Sequence, residues 1–277
     1  VRTHPVSRVG QYAALALFVL FLGFPLFWMI STAFKTPQEI TTLHPTLLPQ
    51  HPTLQNFVAA LNDSGVVRAG INSLVVAVST ALLTLAVALP AAYALVRFRT
   101  WLRKPTLGWI LVSQVFPQIL IVIPLFVILR QISLLNSIPG LILVYIVWAL
   151  PFTLWMLQGY VRSIPSEIEQ AAAVDGAGRL RTLVSIVLPL LAPGIVATGM
   201  FTFIVSWNEF FFALVFLQDP ELNTLPLALA RFIGTEGAVR LGPLAAASLL
   251  ATLPGLVFFA ILQRRLSSGL MSGSVKG

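Results

Sequence analysis

Long apolar runs alternate with short polar breaks along this chain, and the lengths of the runs are its most informative property. A helix needs roughly 20 apolar residues to cross the hydrocarbon core of a bilayer. Six runs meet that length, at about 11–33, 71–96, 106–129, 138–158, 188–217 and 243–263. The pattern predicts an all-α integral membrane protein with six transmembrane helices in one polytopic core. Residues 1–10 then form an N-terminal segment, 34–70 a long polar segment, 158–187 a polar loop within the core 71–263, and 264–277 a C-terminal tail. The first run is followed by no small-residue cleavage site and reads as a retained span rather than a signal peptide. Within 34–70, Leu54, Phe57, Val58 and Leu61 recur at helical spacing and Asn62-Asp63-Ser64-Gly65 closes the pattern. This predicts a short amphipathic helix resting on the membrane face or on neighbouring spans, with contact to a substrate-delivering protein as the functional alternative. Pro25, Pro90, Pro117, Pro124, Pro151, Pro193 and Pro254 interrupt the spans. Such breaks survive in a membrane where neighbours or water satisfy the freed carbonyls, and they serve either as hinges or as plain kinks.

Composition agrees with a lipid environment, since 57% of residues are hydrophobic and only 9% charged, a surface that water does not tolerate on a globular chain. The formal net charge of +8 would suggest nucleic acid in a soluble protein, but here the basic residues cluster at the ends of apolar runs and set topology. With both termini inside, the inner segments hold Arg2, Arg8, Arg97, Arg99, Arg103, Lys104, Arg162, Arg179, Arg181, Arg264, Arg265 and Lys276, which is 12 of the 17 basic residues. The outer segments hold Lys35, Arg68, Arg130, Arg231 and Arg240. The asymmetry predicts cytoplasmic termini and a cytoplasmic loop at 158–187.

Several chemistries are excluded. The chain has no cysteine, so disulfides and thiolate chemistry are absent. His4, His44 and His51 lack metal-ligand spacing, and no metal site is expected. Lys35, Lys104 and Lys276 lack the flanking glycine and hydroxyl residue of a phosphate-binding P-loop. ATP, if it drives this protein, is bound with magnesium on another subunit.

The polar break before the fifth run has a readable local grammar. Ser166 and Glu169 have capping-box spacing after Pro165, and Asp175-Gly176 signals a turn. A second helical stretch from about Arg179 leads into Ile186 and Leu188. The expected product is a helix–turn–helix elbow on the inner membrane surface. Ala171, Ala172 and Ala177 let a foreign groove approach the backbone, Ile168 and Val174 supply apolar plugs, and Glu167, Glu169 and Asp175 offer charge to basic groups around it. The bland alternative is an ordinary loop helix with a chance alanine run.

The run Glu169-Gln170-Ala171-Ala172-Ala173-Val174-Asp175-Gly176-Ala177, followed by Ile186-Val187-Leu188-Pro189, resembles the "EAA" loop of ABC importer permeases. The family pattern is Glu-Ala-Ala, three residues, Gly, nine residues, then Ile-x-Leu-Pro. Gln170 stands where the family has its acid, and Glu169 lies one position early. Asn72-Ser73, Ala91-Ala92-Tyr93-Ala94, Ile123-Pro124-Leu125-Phe126, Asn136-Ser137 and the tail from Gly269 to Gly277 are similar to carbohydrate-uptake permeases of the maltose/trehalose (MalG/SugB-like) type. The resemblance implies a type I importer permease in the inner membrane of a bacterium or archaeon. It implies a related second permease as heterodimer partner, two copies of an ABC ATPase and an extracytoplasmic sugar-binding protein. It also implies ATPase contact through Glu167, Glu169, Gln170, Ala171, Ala172, Asp175, Gly176, Ala177, Ile186, Leu188 and Pro189, and through Gly269, Gly273, Lys276 and Gly277 of the tail.

For a translocation pathway the sequence offers Trp207-Asn208-Glu209, with Glu209 the acid expected inside a span. Aromatic, amide and carboxylate groups suit sugar C–H faces and hydroxyls, while a structural clasp to the partner permease is the competing role. Asn72, Gln114 and Gln118 are further pathway candidates, or else interhelical hydrogen-bonding groups. The leading expectation is a permease importing a disaccharide or short oligosaccharide such as trehalose or maltose. The alternatives are the same machinery for glycerol phosphate or a sugar alcohol, and a proton-coupled secondary transporter that uses Glu209. An intramembrane enzyme lacks the clustered catalytic groups it would need.

Overall fold

The computed structural model describes residues 5–62, 64–98, 100–233 and 239–271, and it is helical almost throughout. The helices are α1 (Pro5–Phe34), α2 (Pro37–Ile40), α3 (Gln55–Asn62), α4 (Ser64–Arg97), α5 (Arg103–Val115), α6 (Gln118–Gln131), α7 (Ile138–Ser163), α8 (Ser166–Val174), α9 (Arg179–Thr182), α10 (Leu188–Trp207), α11 (Phe211–Phe216), α12 (Leu225–Ala230) and α13 (Leu241–Met271). A π-helical turn, Leu183–Val187, joins α9 to α10. Among the described residues, five helices are long and apolar enough to span a membrane, and the count is six if α5 and α6, bent by 108° at the break between them, are taken together as one span.

Two spans differ from the simple hydropathy reading. The run at 106–129 breaks at Phe116 and Pro117, both in extended backbone. Proline disfavours the helical conformation at the residue before it, and here Phe116 takes extended backbone and ends α5. Hydropathy is blind to this, because apolar side chains continue through the break. The other six span prolines lie inside helices. The run at 188–217 likewise stops at Trp207, with Asn208 as C-cap, and resumes as α11.

The chain divides into two compact units, residues 1–67 with 228–253, and 68–227 with 254–277. In the first, the most apolar window of α1 buries none of its residues within the chain. The end of α1 is fastened instead by polar bonds. Asn56 of α3 donates to the carbonyls of Ala33 (3.0 Å) and Lys35 (2.7 Å), and Ser31 Oγ donates to Leu47 O at 2.6 Å. Helix α3 packs through Asn56 and Ala60. Leu54, Val58 and Leu61 of the expected amphipathic stripe are exposed, while the Phe57 ring lies 5.1 Å from that of Phe34.

In the second unit, two apolar clusters organise the helices. One joins Val76, Leu129, Leu141, Val144, Tyr145, Phe212 and Phe216. The other joins Ala88, Ala92, Tyr93, Leu157, Val161, Ile164, Val187 and Leu191, where the elbow attaches. Helix α10 lies against α7 with Phe201 and Phe152 rings 4.3 Å apart and with the buried hydroxyls of Thr153 and Thr202 bonded at 3.0 Å. Gly194 lets that contact close, because a Cβ there would run into the Tyr160 ring.

Candidate functional site

The elbow begins where α7 ends. Ile164 precedes Pro165 and takes extended backbone, which stops α7. Pro165 is the N-cap of α8 and carries no side-chain cap, while Ser166 already lies within the helix. The expected capping box between Ser166 and Glu169 is therefore not formed. Helix α8 ends in a Schellman arrangement: the Ala177 N–H donates to Ala172 O at 2.9 Å and the Gly176 N–H to Ala173 O at 3.1 Å. Gly176 has φ of +82°, a left-handed conformation that costs a residue with a Cβ about 1–2 kcal/mol. The glycine of the motif is thus a backbone requirement of the turn. Open space surrounds the position a Cβ would occupy there.

Glu169 turns inward. Its carboxylate accepts from the Arg97 guanidinium at 2.6 Å and from the Tyr93 hydroxyl at 2.6 Å. Both side chains of the ion pair are 14% exposed. Arg97 also donates to Ile164 O at 2.7 Å, satisfying a carbonyl left without an intrahelical partner at the end of α7. The Arg179 guanidinium stacks 5.4 Å over the Phe98 ring, which meets Tyr93 edge-on. Tyr93 and Arg97, one turn apart on α4, so bind the elbow to the transmembrane core. Sequence reasoning counted Arg97 only toward topology; the i, i+4 pairing of a hydroxyl and a guanidinium at the end of an apolar run was the available signal.

The outward face is different in kind. Glu167, Gln170, Ala171, Asp175 and Gly176 are exposed, as are Ile168, Val174 (89%) and Leu180 (74%). Ala172 is buried and Ala177 partly so. The elbow therefore presents small, apolar and acidic groups to the outside, the last being Glu167 and Asp175, and commits Glu169 to its own chain. Beyond it, Pro189 enters α10 with no N–H to give Ser185, and the chain widens into the π register, where the Leu188 N–H reaches Leu183 O. Ile186 and Leu188 are half-buried there and Pro189 is exposed.

The intramembrane candidates are occupied by structure. Glu209 lies in the break between α10 and α11, not within a continuous helix. It accepts from the Tyr145 hydroxyl and from the backbone N–H groups of Phe212 (2.8 Å) and Ala213 (3.2 Å). Trp207 is buried and stacks on Phe203 at 5.8 Å. Asn208 donates back to Ile204 O at 2.8 Å. Asn72 spends its amide on the carbonyls of Glu221 (2.9 Å) and Asn223 (3.0 Å). Gln118 is half-buried at the start of α6, and the side chain of Gln114 lies outside the described residues. In the tail, Gly269 belongs to α13, and Gly273, Lys276 and Gly277 lie outside the described residues. Among the described residues no His, Asp or Glu cluster could hold a metal.

Residues 84–271 match the family described as binding-protein-dependent transport system inner membrane component. The chain is 39% identical to the diacetylchitobiose uptake system permease protein DasC of Streptomyces coelicolor, covering 94% of each chain. It is 33% identical to the trehalose/maltose transport system permease protein MalG of Thermococcus litoralis, covering 100% of each. A solved bacterial ABC transporter involved in the import of the acidic polysaccharide alginate has the same fold, with a TM-score of 0.82 at 22% identity over 95% of this chain and 99% of that one. Family, fold and apolar helices together define a multi-pass protein of the bacterial or archaeal inner membrane that is a transport subunit and not an enzyme. The chain belongs to the binding-protein-dependent transport system inner membrane components, the permease subunits of ABC importers.

Proposed function

We propose that this chain is one of two related permeases in an ATP-driven carbohydrate importer, and that α8 and α9 form the lever gripped by a separate ATPase. The observation that carries this reading is the two-sidedness of the elbow. Its inner face is fixed to α4 by Glu169, Arg97 and Tyr93, while its outer face leaves Ile168, Val174 and Leu180 open to a partner. A rigid lever needs both halves, one to receive force and one to pass it on. Gln170, in the acid's place, is exposed and supplies hydrogen bonds without charge. The docking contact then rests on shape and apolar surface more than on ion pairing. The termini face the cytoplasm in this arrangement, as the distribution of basic residues requires, and a binding protein delivers substrate from the opposite side.

Relatives named for diacetylchitobiose and for trehalose/maltose support a disaccharide or short oligosaccharide as cargo, ahead of glycerol phosphate or a sugar alcohol. The sugar contacts are not built on Glu209, whose carboxylate is held by three donors of its own chain. That same engagement argues against Glu209 as a proton carrier. The test is uptake into proteoliposomes containing this chain, its second permease and the ATPase, with the cognate binding protein outside. Oligosaccharide uptake that requires internal ATP and all four components supports the proposal. Uptake by the chain alone, driven by a proton gradient, overturns it.

A further inference from the structure

We propose that the cavity at the end of α1 is a binding site for one anionic phospholipid. The cavity holds about 320 Å³, within the range of ligand-sized pockets (roughly 300–1,000 Å³). Its walls are apolar: Pro25 and Met29 of α1 and Leu241, Leu244 and Ala245 of the first turns of α13. Lys35 lines the same cavity yet is only 2% exposed.

The ammonium of Lys35 donates to Thr46 O and sits 4.5 Å from the centroid of the Trp28 ring. Those contacts place a carbonyl dipole and a π face against it. Among the described residues no carboxylate comes within ion-pairing distance of it; the pairs there are Arg68 with Glu221 and Arg97 with Glu169. Glu39 also lines the cavity, but its oxygens accept the backbone N–H groups of Thr36 (3.3 Å), Gln50 (3.1 Å) and His51 (2.8 Å). The outcome is a desolvated cation without a counter-anion, which is costly unless a ligand supplies one. An ammonium has three donors, and one of them is given to Thr46.

Position selects the ligand. Lys35 directly follows the apolar span Gly10–Phe34, so it lies at the boundary where lipid phosphates sit. A phosphate at the ammonium and an acyl chain along the apolar wall satisfy both parts of the site at once. The contact is a charge-assisted hydrogen bond from the ammonium to a phosphate oxygen. The lipid would fasten the end of α1 to the start of α13 at that boundary.

The experiment is native mass spectrometry of the delipidated full chain titrated with phosphatidylglycerol or phosphatidylcholine of the same acyl composition. One phosphatidylglycerol is expected to be retained at a concentration at least about tenfold lower than phosphatidylcholine. Lys35→Gln is expected to abolish that preference, and Lys35→Arg to keep it. Ala245→Phe, which leaves the lysine and its loop intact, fills the cavity and is expected to weaken phosphatidylglycerol retention by at least about tenfold. Equal retention of the two lipids by the unaltered chain overturns the proposal. So does unchanged retention in Ala245→Phe, which decides the matter even if Lys35→Gln fails to fold.

Discussion

Replacing Glu169 by Gln keeps the shape of the side chain and removes its charge, leaving Arg97 opposite a neutral amide. In the native chain the two groups lie 2.6 Å apart and each is 14% exposed. Breaking a buried pair by removing one partner costs about 3–5 kcal/mol. The residual exposure of Arg97, and its surviving bond to Ile164 O, reduce the loss to about 2–3 kcal/mol, in line with charge-assisted hydrogen bonds. Because the pair joins the elbow to α4, the loss falls on local opening of α8 rather than on the whole fold. Amide exchange over residues 166–177 in detergent-solubilised protein is expected to rise roughly 30- to 150-fold, a tenfold change corresponding to about 1.4 kcal/mol. Arg97→Met is expected to loosen the same segment, and the double variant to fall short of the sum of the two. Glu167→Gln, on the exposed face, is the control and is expected to leave exchange unchanged. Exchange within about threefold of the unaltered chain in Glu169→Gln would show that the pair does not hold the elbow.

Other positions give independent expectations. Gly176→Ala is expected to destabilise the turn by about 1 kcal/mol through its positive φ alone, since nothing crowds the site, and a bulky residue there is expected to uncouple ATP hydrolysis from uptake; hydrolysis and transport measured together in proteoliposomes check this. Tyr145→Phe removes one of three donors to Glu209 and is expected to cost about 1–2 kcal/mol in thermal stability. Glu209→Ala is expected to cost more, because it leaves the hydroxyl and two N–H groups unpaired. Gly194→Ala forces α10 away from the Tyr160 ring and is expected to lower thermal stability by about 1–3 kcal/mol, with Tyr160→Leu restoring part of it.

The spans were legible because a bilayer imposes length and hydropathy on any helix that crosses it, and the elbow's turn was legible because Asp175-Gly176 is chemically suited to a Schellman ending. The helix breaks at Phe116–Pro117 and after Trp207 were not, since both occur amid apolar side chains that hydropathy counts alike. The capping box failed for a different reason. Glu169 has the correct local spacing, but its carboxylate is captured by Arg97, 72 positions earlier in sequence, and only the fold brings that competitor near. Asn72 and Glu209 stood out as rare polar groups in apolar runs. Their partners are backbone groups and a tyrosine whose proximity a linear pattern does not encode.

The central claim is that the outward face of α8 meets an ATPase that is a separate polypeptide. The chain has no cysteine, and Val174 is 89% exposed, so Val174→Cys supplies this chain's sole thiol at the C-terminal end of that face. A thiol-directed photocrosslinker placed there, in membranes carrying the assembled and active importer, is expected to capture the ATP-hydrolysing subunit. An importer that remains active while the probe at Val174 stays water-accessible and captures no ATPase would contradict the account.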